Sequence, residues 1–244
     1  MTAPLSSFRN RSSEELAMRA LCAAKLRELW PTARIIHELP TRYAQNRIDL
    51  AAVTETELVA LEIKSSRDVA DRLEAQLRAF APVSHLLIVA LAPKWNEDLP
   101  WREVVRTLEG RRYVGSQPQY TAAQAAIQRV GPGGVWTWTV DAEVGTLTCG
   151  YKPVHSSQPW PRRMLDILHR DELVAIASAH RIAEPNRRTT HFNLAEACAE
   201  LMNGREVDRA VCAALRARAA FARESDAPAI AEASLEAAEA VHVA

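Results

Sequence analysis

No stretch of the sequence approaches the roughly 18 continuous apolar residues of a membrane-spanning helix, so a helical membrane protein is not expected. Charge of neither sign dominates. Thirty Lys and Arg balance thirty Asp and Glu, which removes any global bias towards nucleic acid or a membrane surface. The opening MTAPLSSFRN lacks the apolar centre of a secretory leader. Cysteine is scarce: Cys22, Cys149, Cys198 and Cys212 are scattered with no CxxC pair, as in a reduced cytoplasmic protein with incidental thiols. His191, Cys198 and Cys212 offer zinc donors, but at a spacing that matches no familiar site. There is no GxxxxGK[ST] loop for ATP phosphates, no GxGxxG after a strand, no GxSxG elbow around Ser65 and Ser66, and no HExxH among the seven histidines. His37 and His85 lie in apolar runs and read as core histidines. No internal repeat is visible.

What is present suits a globular α/β chain. Its 244 residues, 48% hydrophobic and 25% charged, allow one large domain or two small ones. Residues 12–30 repeat apolar positions at helical spacing (Met18, Leu21, Cys22, Leu26, Leu29), with Ser12 or Ser13 as cap and Pro31 as stop. ARIIHEL reads as a strand. Asp68 can cap a helix running to Phe80, with Asp71 completing a capping box, and SHLLIVALA reads as a strand buried on both faces. The order helix, three strands, helix, strand predicts a mixed sheet flanked by helices over residues 1–95. Residues 96–160 form a Trp-, Pro- and Gly-rich extension in which GPGG opens a hairpin, VWTWTVDAEVGTLTC, whose Trp136 and Trp138 are packing residues. Residues 161–223 are helical, and 224–244 form an acidic, frayed tail.

The chemistry concentrates in RIDLAAVTETELVALEIKSS, residues 47–66. Two apolar strand-like runs carry Asp49 in the first and Glu62 and Lys64 in the second, and a buried charge is costly unless it is paired or bound. Glu62 and Lys64 share one strand face. A turn centred between Glu55 and Thr56 sets Asp49 directly opposite Glu62, and Lys64 opposite Arg47. Carboxylates at that cross-strand distance, about 5 Å between Cβ atoms, must share a proton or a cation. Hard oxygen donors favour Mg²⁺ or Mn²⁺ over zinc.

This arrangement resembles the PD-(D/E)XK nuclease superfamily over roughly residues 12–92, and EIKSSRDVADRLEAQLRAF is similar to bacterial and phage members with an EIKS-type motif. The match departs at Asp49, which follows Ile rather than Pro. The resemblance implies a restriction-endonuclease-like αβββαβ core with a helical C-terminal region. It implies that Asp49, Glu62 and the Ile63 carbonyl hold Mg²⁺ (or Mn²⁺), and that Lys64 orients or deprotonates the attacking water and offsets charge on the phosphate. An acid of the first helix would complete the site. Glu14 and Glu15 both qualify, and Glu15 is favoured because it shares the face of Met18, Cys22 and Leu29. Gln76 borders the apolar stripe of its helix and reads equally as a site residue or a surface residue.

The expected activity is hydrolysis of DNA phosphodiester bonds in a cytoplasmic or phage-associated setting, with no membrane partner and with a homodimer as an open assembly. The alternative is a non-catalytic DNA-binding or interaction protein. Its basis is a helix–extended–helix unit from RDELVAIASAHRI and NLAEACAEL, with Arg162, Arg163, Arg187 and Arg188 near its connections. Against it stands an ordinary helical subdomain with solvated arginines, the more economical of the two.

Overall fold

A computed structural model describes residues 11–41, 46–108, 111–131, 134–153, 158–182 and 188–218. The acidic tail expected for 224–244 lies outside them. Helix α1 (Ser13–Leu29) starts where the Ser12 side chain accepts the Glu15 N–H, and Glu14 and Glu15 sit in its first turn, where the helix dipole favours acids. Its buried stripe is Met18, Cys22, Ala23 and Leu26, with Arg19 buried beside them. Leu29, expected on the same face, is half-exposed instead.

Strands β1 (Arg34–Pro40), β2 (Arg47–Val53) and β3 (Leu58–Lys64) form an antiparallel meander. Helix α2 (Leu73–Phe80) then crosses to β4 (Leu86–Leu91), which lies parallel to β3. Both β3 and β4 are buried along their whole length, as a central strand with both faces covered requires. The β2–β3 ladder pairs Leu50 with Leu61 and Val53 with Leu58, the register that the Glu55–Thr56 turn predicts. Asp68 does not cap α2. Its carboxylate accepts instead from the Ser65 N–H and hydroxyl, holding the turn after β3, and α2 begins four residues later than a cap at Asp68 implies.

The sheet does not stop near residue 95. Strands β5 (Leu99–Leu108) and β6 (Arg111–Gln119) form a separate two-stranded ribbon, and helix α3 (Ala122–Val130) follows. The expected hairpin, β7 (Val135–Asp141) and β8 (Thr146–Cys149), then joins the main sheet, with β7 parallel to β4. The result is one mixed six-stranded sheet in the order β1-β2-β3-β4-β7-β8. Trp136 and Trp138 are buried and meet edge to face at 5.3 Å, as packing residues should. Gly150, just past β8, lets the end of that strand lie close against β7, since a Cβ there would stand 2.7 Å from the Thr137 carbonyl oxygen.

Two apolar clusters line the two sheet faces. Residues of α1 pack with Leu50, Ala52, Val59, Leu61 and Ile63 on one side. On the other, Leu73, Leu77 and Phe80 of α2 pack with Ala51, Val53, Leu58 and Ala60. Helices α4 (Pro161–Asp166), α5 (Arg170–Ala179), α6 (His191–Leu201) and α7 (Gly204–Ala217) add Leu165, Leu173, Leu194 and Val211 to that second cluster, so the C-terminal helices share the core of the sheet. No helix among the described residues is long and apolar enough to cross a membrane.

Candidate active site

Strand alternation breaks between β1 and β2. Glu38 has φ 55°, in the left-handed region, and Glu38 and Asp49 are skipped in the β1–β2 ladder, which resumes at Leu39 and Ile48. Ile36 and Leu39 fall in the same apolar cluster although they are three residues apart, as do Ile48 and Ala51. The two-residue side-chain period therefore slips at Glu38 and Asp49, while the pairing register on either side is unchanged.

Asp49 makes an unusual set of contacts. Its Oδ2 accepts the Ile63 N–H at 2.9 Å, filling the place of a backbone partner. Its Oδ1 and main-chain oxygen accept from the buried Arg19 guanidinium, at 2.8 and 2.5 Å. Arg19 also donates to Glu38 at 2.9 Å and lies 3.6 Å from Glu15. Arg11 closes the group, paired with Glu15 and Glu38 and 3.8 Å from Asp49. Glu15 thus faces the cluster. Glu14 turns to the strand end, where its two oxygens take the Ser66 N–H at 2.7 Å and the Ser66 hydroxyl at 2.5 Å.

Glu62 is 2% exposed. Its Oε1 accepts from Lys64 Nζ at 2.8 Å and from Gln76 Nε2 at 2.5 Å, and Gln76 Oε1 accepts from the same ammonium at 2.9 Å. Gln76 is therefore at the site rather than on the surface. Glu62 Oε2 is buried with no hydrogen-bond donor. Burial first, and the Asp49 carboxylate second, push Glu62 up to about 8, although the Lys64 ammonium beside it pulls the other way. The Asp49 carboxylate lies close enough to Glu62 to add to that rise. Glu38 is raised too, by burial and then by Asp49, against the pull of Arg19 and Arg11.

The backbone of β3 adds a further oxygen. The Lys64 carbonyl accepts from Ala92 N–H on the β4 side, and the Ile63 N–H points to Asp49 on the β2 side. Carbonyls alternate with their own N–H groups along a strand, so the Ile63 carbonyl also faces the β2 side, towards the carboxylates. Asp49, Glu62 and the Ile63 carbonyl lie at the β2–β3 seam, and all three are hard oxygen donors of the kind that suits Mg²⁺ or Mn²⁺. The orphaned Glu62 Oε2 and the raised Glu62 carboxyl are what such a cation would relieve. Glu15 stands next to them but is held by Arg11, and no group of three or more His, Cys, Asp or Glu side chains among the described residues is arranged around a metal position. That includes His191, Cys198 and Cys212.

Other expectations resolve as follows. His85 is satisfied in the core: Nδ1 accepts the Leu58 N–H at 3.1 Å, and Nε2 lies 3.3 Å from Asp208. His37 is buried and its pKa is lowered to about 3 by burial and by Arg19. Arg162 pairs with Asp166 and Glu196 and stacks on Phe192, so its charge is used within the helical region. Arg187 lies outside the described residues. Sequence reasoning missed Arg11, Arg19 and Glu38. The one available signal was Arg19 itself, a cation adjacent to Met18 on the buried stripe and four residues from Glu15.

Residues 9–100 match the family model of bacteriophage P4 protein cII, and the chain is similar to that family over this stretch. The matched stretch runs from before α1 to the start of β5 and holds every residue of the cluster, from Arg11 to Gln76. No curated protein matches the chain, and no solved structure does.

Proposed function

We propose that the chain is a metal-dependent nuclease that hydrolyses DNA phosphodiester bonds on a restriction-endonuclease-like core, in a cytoplasmic or phage-associated setting. The observation that carries the reading is Glu62. A carboxyl buried without a donor on Oε2, facing a second carboxylate and bonded to a lysine, is an expensive arrangement for structure alone. A divalent cation held by Asp49, Glu62 and the Ile63 carbonyl would supply Lewis acidity at a phosphoryl oxygen and a more acidic bound water.

The protein's own groups have separable tasks. Asp49 is oriented by Arg19 and the Ile63 N–H. Gln76 aims the Lys64 ammonium, which is placed to hold a water and to offset charge that develops on a phosphate. Glu14 clamps Ser66 and so fixes the end of the strand that carries Lys64. Glu15 joins the site when Arg11 releases it.

A second reading has its own support: Arg11 and Arg19 already neutralise Glu15, Glu38 and Asp49, as in a non-catalytic binding protein. Incubation with linear, circular and branched DNA in Mg²⁺, Mn²⁺ or EDTA separates the two. Cleavage that EDTA abolishes supports the nuclease; intact DNA in every metal leaves the non-catalytic reading.

A further inference from the structure

None of the described side chains of the β5–β6 ribbon joins either apolar cluster. Arg111, Arg112 and every residue from Val114 to Tyr120 are exposed, as are Arg102, Glu103 and Val105. A two-stranded ribbon standing alone is marginal in water, so a ribbon with ten residues in β5, roughly 30 Å long, is unusual without a partner. Its charge is also uneven. Residues 99–119 hold four arginines against two glutamates, in a chain whose total charge is zero. By register, Arg102 and Arg111 lie on one ribbon face and Arg112 on the other.

The root of the ribbon is tied to the candidate active site. Trp95 donates its ring N–H to the Ser65 carbonyl at 2.9 Å, directly after Lys64. The Trp95 carbonyl accepts the Thr121 hydroxyl at 2.5 Å, just past the end of β6. Gln124 reaches the Glu97 carbonyl at 3.3 Å, just before β5. The ribbon therefore leaves the body at the sheet end that carries Lys64.

We propose that the β5–β6 ribbon is an arm that enters the major groove of duplex DNA and grips its phosphates, placing the duplex beside Lys64. The DNA substrate class rests on the nuclease reading; the arm itself rests on the ribbon. A two-stranded ribbon fits the B-form major groove, about 12 Å wide, and not the deep, narrow major groove of duplex RNA. A second copy of the chain is a poorer occupant, because Pro118 interrupts the β6 edge and two such ribbons would oppose arginines.

The test is fluorescence anisotropy of a short labelled DNA duplex with the full chain in EDTA, across a salt series. The triple variant R102Q/R111Q/R112Q is expected to bind tenfold or more weakly and to lower the log–log salt slope by about 2–3, near 0.9 per phosphate released. A control, R205Q/R209Q on the exposed side of α7, is expected to bind like the parent. An affinity change under twofold in the triple variant, an equal loss in the control, equal affinity for duplex RNA, or no binding by the parent each overturns the arm. If the arm variant loses binding while the parent never cleaves with Mg²⁺ or Mn²⁺, the arm stands and the nuclease reading falls.

Discussion

Glu62→Gln tests the carboxylate pair through stability rather than activity. The amide keeps the volume, still accepts from Lys64 and Gln76 through its oxygen, and can donate to Asp49 through its nitrogen. It imitates the protonated state. In the parent, the folded protein holds the Glu62 proton up to about pH 8, while the unfolded chain releases it near 4.5. The folded state binds the extra proton between those values, so stability falls as pH rises through that window. Below about 4.5 both states are protonated and the effect vanishes. Between pH 6 and pH 8 the loss is about 2 kcal/mol, allowing for half-ionisation at the top of the range. For a chain of this length that is about 4–8 °C in Tm. Other titrating groups cancel when the variant is subtracted from the parent. Thermal melts at both pH values should show the parent losing that much more than Glu62→Gln. Mn²⁺ should restore the parent at pH 8, by about 3 kcal/mol at a hundredfold excess over Kd, and leave the variant unmoved. Equal pH dependence in the two proteins would refute the raised Glu62 carboxyl; an equal response to Mn²⁺ would refute the cation site.

Four more outcomes are expected. Asp49→Asn should weaken Mn²⁺ binding and cleavage together. Lys64→Ala should keep or strengthen calorimetric Mn²⁺ binding while cleavage falls about a hundredfold or more, and full cleavage by Lys64→Ala would end its catalytic assignment. Gln76→Ala, which removes the residue that positions Lys64, should lower kcat about tenfold with KM little changed and cost about 1–2 kcal/mol of stability; a change in KM alone would place Gln76 in binding instead. Gly150→Ala should lower the urea midpoint by an amount equal to about 1–3 kcal/mol, because its Cβ meets backbone rather than a movable side chain, and an unshifted midpoint would show that the hairpin end yields freely.

The core elements were legible because local signals agreed. Ser12 and Pro31 bracket α1, the apolar runs of β3 and β4 are too short for helices, and the Thr-Glu-Thr-Glu turn sets the β2–β3 register. The ribbon was not legible, since a strand with both faces in water carries no apolar alternation to read. Asp68 misled because its carboxylate had a nearer use at Ser65. The carboxylates of the site could be found from their cost inside apolar runs. Their arginine partners could not, because Arg11, Arg19 and Glu38 converge from separate elements on a slip in strand alternation that depends on one residue's φ.

That slip also governs how easily the site can open. Beyond Leu50 and Leu61 the β2–β3 ladder has no further rung, and the Ile63 N–H rests on a side chain instead of a strand. A carboxylate on rotatable bonds can follow a moving N–H, whereas a ladder carbonyl is fixed by its own strand. The two strands can therefore part at this end without breaking any rung of their ladder. The central strands remain locked along the buried remainder of the sheet, so the compliance is confined to the few atoms around Asp49, Glu62 and Ile63. The fold acts there as a sprung jaw hinged on Leu50 and Leu61, stiff at the root and soft at the tip.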